Sequence, residues 1–150
     1  MIKKIVIGFA VLFVLIQFIR IDKTNPPVDL QEDYIVVTNA PEEIADMLKS
    51  SCYDCHSNES KYPWYSNVAP VSWWLKDHIN EGRDELNFSK WGSYETKRKR
   101  HKMEESIEMI EEGEMPLPPY TITHSDAKLS ELQKQKLVDW FTYIKDRRIQ

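Results

Sequence analysis

The chain has two cysteines among its 150 residues, and both fall within one five-residue stretch. None is left for a structural disulfide, so this is not a small domain stapled by cystines. Strand–helix alternation of the βαβ kind is absent, which removes the setting that a thioredoxin-like dithiol requires. There is no internal repeat and no second hydrophobic core, so one compact domain is expected. Nor is there a positive excess: the formal net charge is −4. Residues 1–21 contribute Lys3, Lys4 and Arg20 with no acid, so the rest of the chain is more acidic than the whole. That balance argues against a nucleic-acid partner.

At the N-terminus, Lys3 and Lys4 precede an apolar run from Ile5 through Ile19 that is broken only by Gly8 and Gln17 and closed by Arg20. A basic flank before such a run is an export signal. No small-x-small pair follows it, and no cysteine near its end is available for lipidation. Residues 1–21 are therefore expected to stay as a single-pass membrane anchor with the lysines in the cytoplasm and the rest outside it. A hydrocarbon core of roughly 30 Å, at about 1.5 Å per helical residue, needs the whole of Ile2 through Ile21 with the lysines snorkelling. Residues 22–40 contain Asn25-Pro26-Pro27 and read as a stiff tether that holds residues 41–150 off the bilayer. Within it, Ile35-Val36-Val37 suits a short extended contact.

Cys52-Tyr53-Asp54-Cys55-His56 matches the C-x-x-C-H signature of covalent haem attachment. At helical pitch two thiols at i and i+3 share a face and reach the two vinyl groups of one porphyrin, while the next side chain turns beneath the iron. On this reading Cys52 and Cys55 carry one haem c and His56 is its proximal ligand. A zinc site, a redox dithiol and an ordinary disulfide are the chemical rivals. Zinc needs a fourth ligand, and His78, His101 and His124 are scattered rather than paired at ligand spacing.

Periodicity and caps predict an all-α domain. One helix begins near Asn39 or Pro41, with Glu42 and Glu43 in its first turn and Ile44, Met47 and Leu48 on the side that leads to the cysteines. A second starts near Asn67 with Pro70 in its first turn and ends at Gly82. Trp64, Trp73 and Trp74 beside it are expected mainly to fill the core. Arg83 is a candidate partner for a haem propionate, with solvated surface as the plainer reading. A third helix, capped by Ser93, runs to Glu112 and buries Met103, Ile107 and Ile110. Its Lys97–Lys102 block precedes its acids, against the macrodipole, and pairs such as Arg100 with Glu104 offset part of that. The last helix has Ser130 as N-cap, Gln133 in the capping-box position, and an apolar face of Leu132, Leu137, Trp140, Phe141 and Ile144. Lys145, Arg147 and Arg148 suit its C-terminal end.

Between the last two helices, Gly113 ends one and Met115-Pro116 follows. A residue before proline is driven to extended backbone, which frees the Met115 thioether to project inward as the distal iron ligand. Met115 is the expected sixth ligand, and His124 and His78 are its main rivals.

Several stretches together resemble a known family. Cys52 through His56 with Ser57-Asn58, Tyr62-Pro63-Trp64-Tyr65, Ala69-Pro70-Val71-Ser72-Trp73-Trp74-Leu75, His78-Ile79, Gly82-Arg83 and Leu86 through Trp91 are similar to the bacterial haem-binding domain family of small, membrane-tethered, cytochrome-c-like proteins. The similarity continues through Gly113-Glu114-Met115-Pro116-Leu117-Pro118-Pro119-Tyr120 and His124 to Leu129-Ser130. The resemblance implies a c-type haem, an extracytoplasmic site, and a final helix packed across the first domain helix. The resulting expectation is a cytochrome-c-like monohaem domain that passes single electrons between redox partner proteins. A haem enzyme with a displaceable distal ligand, or a haem-based sensor, is the alternative.

Overall fold

The computed structural model describes residues 1–147, and among them every regular element is helical. The all-α expectation holds. Arg148, expected at the end of the last helix, lies outside the described residues.

The first helix, α1, spans Ile2–Ile16 and buries none of its residues. At about 1.5 Å per residue it is about 22 Å long, and among the described residues no helix is long and apolar enough to cross a membrane. The expected span over residues 1–21 is therefore shorter as a regular helix. Gln17 explains the stop. Its side-chain amide donates to Ala69 O at 3.0 Å and accepts from Ala69 N–H at 2.9 Å, which fastens the end of α1 to the domain.

Residues 22–40 do not stand off as a tether. Asn25 donates to Ser60 O, Asn58 donates to Pro27 O, and Gly92 N–H donates to Glu32 O at 2.8 Å. Ile35-Val36-Val37 is helical rather than extended, within α2 (Tyr34–Thr38). Asp33 caps the first turn by accepting from Ile35 N–H, and Asn39 closes the last at φ 53°, ψ 50°, a left-handed conformation asparagine tolerates. Those two caps outweigh β-branched propensity because the turn delivers Tyr34 into the centre of the core, where it is fully buried.

Two glutamates open α3 (Glu42–Ser51), whose Ile44, Met47 and Leu48 are buried as expected. A single turn, α4 (Tyr53–His56), follows at once. α5 (Val71–Glu85) comes after a 3₁₀ turn at Trp64–Asn67 and runs through Gly82 instead of ending there. α6 (Thr96–Glu111) starts after Glu95, two residues later than a Ser93 cap suggested, and Ser93 Oγ instead donates back to Lys90 O. Its salt bridges are Lys102 with Glu85 and Glu105, and His101 with Glu105, not Arg100 with Glu104. A short α7 (Pro118–Thr123) precedes α8 (Glu131–Asp146), which carries the complete Ser130–Gln133 capping box.

α8 lies mainly along α6 and secondarily against α3. Leu137, Phe141 and Ile144 enter the core, while Leu132 is exposed. Tyr34 makes edge contacts with Phe88, Trp91 and Phe141 at centroid distances of 5.1, 4.8 and 6.1 Å. Trp91 is the buried tryptophan, whereas Trp64 is 79% and Trp74 43% exposed. The tryptophans expected to fill the core therefore lie largely at the surface. Sequence offered no way to rank five indoles, because which one meets Tyr34 depends on the packing of α2.

Candidate functional site

The cysteine motif is bent. α3 ends at Ser51, Cys52 sits at φ −126°, ψ −43°, and His56 N–H donates to Cys52 O at 2.9 Å to close the α4 turn. The two residues between the cysteines pin that turn from opposite sides. Tyr53 stacks on Phe88 at 5.2 Å and 5°, and its hydroxyl donates to the Asp33 carboxylate at 3.0 and 3.1 Å. Asp54 accepts from the Tyr120 hydroxyl at 2.7 Å and from Lys61 N–H at 3.1 Å. With its flanks held this way, the turn presents Cys52, Cys55 and His56 to one cleft of about 630 Å³. That volume falls in the usual range for small-molecule and cofactor pockets.

His56 has a fixed tautomer. Its Nδ1 lies 2.9 Å from Gly82 O and 3.1 Å from Leu86 O. Both partners are carbonyls and only accept, so Nδ1 carries the proton and Nε2 keeps its lone pair. Burial lowers the imidazole pKa, against the opposing pull of those two carbonyls, and so favours the neutral, ligating form. A histidine donating its second nitrogen to backbone is the standard support for a metal ligand.

Gly82 makes this possible. A methyl group there would stand 3.0 Å from Cys55 O and 3.3 Å from its carbonyl carbon, so any larger residue would push α5 back from the motif by a few tenths of an ångström. The sequence reading treated Gly82 as a helix terminator, and no sequence signal marks a backbone carbonyl as a histidine's partner.

Met115 reaches the same cleft. Gly113, at φ 77°, ends α6 as expected, and the Glu114 and Met115 N–H groups both donate to Met109 O, at 2.9 and 3.0 Å. His78 also lines the cleft, with Nδ1 bonded to Trp74 O at 2.9 Å. His124 does not line it. Its ring stacks on Tyr120 at 4.2 Å, with Nδ1 3.5 Å from the Tyr65 hydroxyl.

Arg83 is committed elsewhere. It donates to Ser57 O at 2.7 Å, Asn25 Oδ1 at 2.8 Å and Ser60 Oγ at 2.9 Å, so it ties the segment behind the motif to residues 22–40. It is neither solvated surface nor positioned for a propionate. The cation on the cleft is Lys102, held by Glu85 at 3.0 Å and Glu105 at 2.7 Å, a residue the sequence reading placed only within a charged block.

The two thiols are free. Burial pushes Cys52 up to about 12, with Cys55 adding to the rise. Burial and then the Asp54 carboxylate push Cys55 up to about 11, while Arg83 opposes. A redox-active dithiol needs a lowered thiol pKa, so these cysteines lack the activation that chemistry requires. Among the described residues no three His, Cys, Asp or Glu side chains are gathered to hold a metal ion.

The residues present fit an iron porphyrin. The cleft is lined by Leu86, Phe88, Ile110, Leu117, Leu129 and Phe141, together with Lys102 and the acids Glu81, Glu85, Glu105 and Glu108. An imidazole Nε2 and a thioether are both available as axial donors. No curated protein and no solved structure matches the chain. A model of the haem-binding domain matches residues 11–143, and with the cleft and its histidine described above, the chain belongs to the haem-binding domain family.

Proposed function

We propose that this protein is a monohaem c-type electron carrier, held at the outer face of the cytoplasmic membrane by residues 1–21. The reading rests above all on one convergence: Cys52, Cys55, His56 and Met115, spread over two parts of the chain, line one cleft. Cys52 and Cys55 would hold the haem through thioethers, with His56 Nε2 and Met115 Sδ as its axial donors. Haem iron ligated by His and Met supplies reversible one-electron transfer at raised potential.

The choice of Met115 follows from ring geometry. Nδ1 of His56 points at the carbonyls of Gly82 and Leu86 at the end of α5, so Nε2 points away from that helix. His78 lines the same cleft, but its Nδ1 is held by Trp74 O on its own helix, whereas Met115 lies on the loop between α6 and α7 and its thioether would be the second donor to the iron. The largely apolar surface of the cleft lowers the polarity around the site, which would keep reorganisation small. α1 supports the anchor: every large hydrophobic residue from Ile2 to Leu15 is exposed along a helix with nothing packed on it. Turns of i→i+3 type extend it to Ile19, which brings its reach to about 28 Å.

The decisive experiment is expression of the full chain with haem-maturation machinery, followed by intact mass and absorption spectra. A mass increment of one haem that survives denaturation, with a low-spin ferric spectrum and an iron–thioether band lost in Met115→Ala, is expected. A noncovalent haem would refute the c-type reading. High-spin iron that promptly binds carbon monoxide would favour the displaceable-ligand enzyme instead. A redox partner protein is the expected electron donor or acceptor.

A further inference from the structure

The place where α1 joins the domain has a particular surface. Besides the Gln17–Ala69 pair, Arg20 donates to Asn67 O at 2.6 Å, Lys23 donates to Asn67 Oδ1 at 2.6 Å, and the Trp73 indole donates to Ile19 O at 3.0 Å. All of these bonds fall on the stretch from the 3₁₀ turn at Trp64–Asn67 to the first turns of α5. That same stretch exposes Trp64 at 79%, Trp74 at 43% and Val71 at 43%. Val71 and Trp74 are three apart on α5 and therefore share a face. Large aromatics beside the end of an apolar helix occupy the position where membrane proteins place their interfacial belt.

Charge agrees with the apolar surface. Arg20, Lys23 and Lys76 ring this stretch, Lys76 through its contact with the Tyr62 hydroxyl at 3.4 Å. Among the described residues none of the three enters a salt bridge. Two acids accompany them: Asp22, engaged by Thr24 N–H at 2.8 Å, and Asp77, exposed and three residues after Trp74 on α5. A cationic collar around exposed indoles, on a chain of net charge −4, is complementary to an anionic lipid surface and to little else on this molecule.

We infer that the domain does not swing on a tether but rests on the bilayer, with the face that carries Trp64, Val71 and Trp74 seated among anionic headgroups. This rests on the anchor reading proposed above. Five hydrogen bonds tie the segment just past α1, from Gln17 to Lys23, to that face, so the end of the helix fixes the domain's orientation as well as its location. A functional consequence follows from a second cavity of about 250 Å³, walled by Trp64, Tyr65, Trp74 and Tyr120, which reaches Cys55 from this same face. The side of the cofactor site near Cys55 therefore looks toward the membrane plane on this reading.

The test uses the full haem-loaded chain in vesicles of phosphatidylcholine with about one third phosphatidylglycerol, oxidised by radiolytic hydroxyl radicals and mapped by peptide mass spectrometry. The five tryptophans form an internal scale, because Trp91 is only 1% exposed and Trp64 is the exposed extreme. Protection of Trp64 and Trp74 to nearly the level of Trp91, while Tyr143 stays reactive, is expected. In Lys23→Glu/Lys76→Glu, Trp64 oxidation should rise about tenfold as the face lifts from anionic lipid. Resistance to an alkaline carbonate wash reports the anchor separately. A chain that resists the wash yet keeps Trp64 as its most oxidised tryptophan overturns the docking face alone. A chain that washes off overturns the anchor reading, and this inference with it.

Discussion

Gly82→Ala isolates the contact on which the site geometry depends. In an ordinary helix interior the change stabilises by roughly 1 kcal/mol, because alanine is the better helix former. Here the new methyl meets Cys55 O at 3.0 Å and its carbonyl carbon at 3.3 Å. Both are backbone atoms of a turn already pinned by Tyr53 and Asp54, so neither yields as a flexible side chain would. Overpacking of this kind costs about 1–3 kcal/mol, which exceeds the propensity gain. The expected net loss is about 1 kcal/mol, a fall in Tm of roughly 3–5 °C for a chain of this size. Relief requires α5 to back away by a few tenths of an ångström, which stretches the 2.9 Å bond from His56 Nδ1 to Gly82 O and leaves Leu86 O as the main acceptor. On the proposed ligation, a weaker bond at Nδ1 would make the imidazole a poorer donor at Nε2 and so disfavour ferric iron. The expected sign is a higher reduction potential, because the Nδ1 bond supports the ferric state more than the ferrous one. Thermal unfolding followed by circular dichroism and optically monitored redox titration read the two effects. Gly8→Ala, with nothing within 4 Å of the new methyl, is the control that lacks the collision. A Gly82→Ala protein that is more stable than the native one, at unchanged potential, would refute the close approach.

Three further outcomes are expected. In haem-free protein the Cys55 thiol, at about 11, holds about a hundredfold less thiolate near neutral pH than an ordinary cysteine. Iodoacetamide should therefore alkylate it about that much more slowly, with the rate rising tenfold per pH unit until pH approaches 11; an ordinary rate at pH 8 contradicts the buried placement. Arg83→Met keeps the stem but removes the donors to Ser57 O, Asn25 and Ser60, and should lower stability by about 2–3 kcal/mol, seen as a lower urea midpoint. An unchanged midpoint would mean that residues 22–40 are not integrated as described. Tyr53→Phe preserves the stack on Phe88 but leaves the Asp33 carboxylate, 4% exposed, without its hydroxyl donor. A loss of about 1–3 kcal/mol is expected, and equilibrium unfolding with no loss would count against the Asp33–Tyr53 clasp.

The elements most legible in the sequence were those written in short-range chemistry. Ser130 with Gln133 announced the start of α8, and Gly113 before Met115-Pro116 announced the end of α6, because caps and prolines act within a few residues. Gly82 was misread for the complementary reason: as a local signal glycine means helix end, and only the approach of Cys55 from elsewhere in the chain shows why it sits inside α5. Arg83 and Lys102 exchanged expected roles likewise, since a cation's partners are chosen by which acids and carbonyls the fold brings to it. Ile35 to Val37 turned helical because burying Tyr34 in the core outweighed a weak strand preference.

By itself, the order of residues determined that the chain is helical, that Cys52, Cys55 and His56 form one chemical unit, and that a thioether follows a helix stop far downstream. Tertiary structure decided which nitrogen of His56 carries the proton, that Met115 and not His124 lines the same cleft, and that residues 22–40 belong to the domain. The division is physical. Motifs and caps are fixed by bonds spanning a few residues, whereas a ring's tautomer, a thiol's pKa and the choice of which indole is buried are set by atoms that only folding brings within a few ångströms.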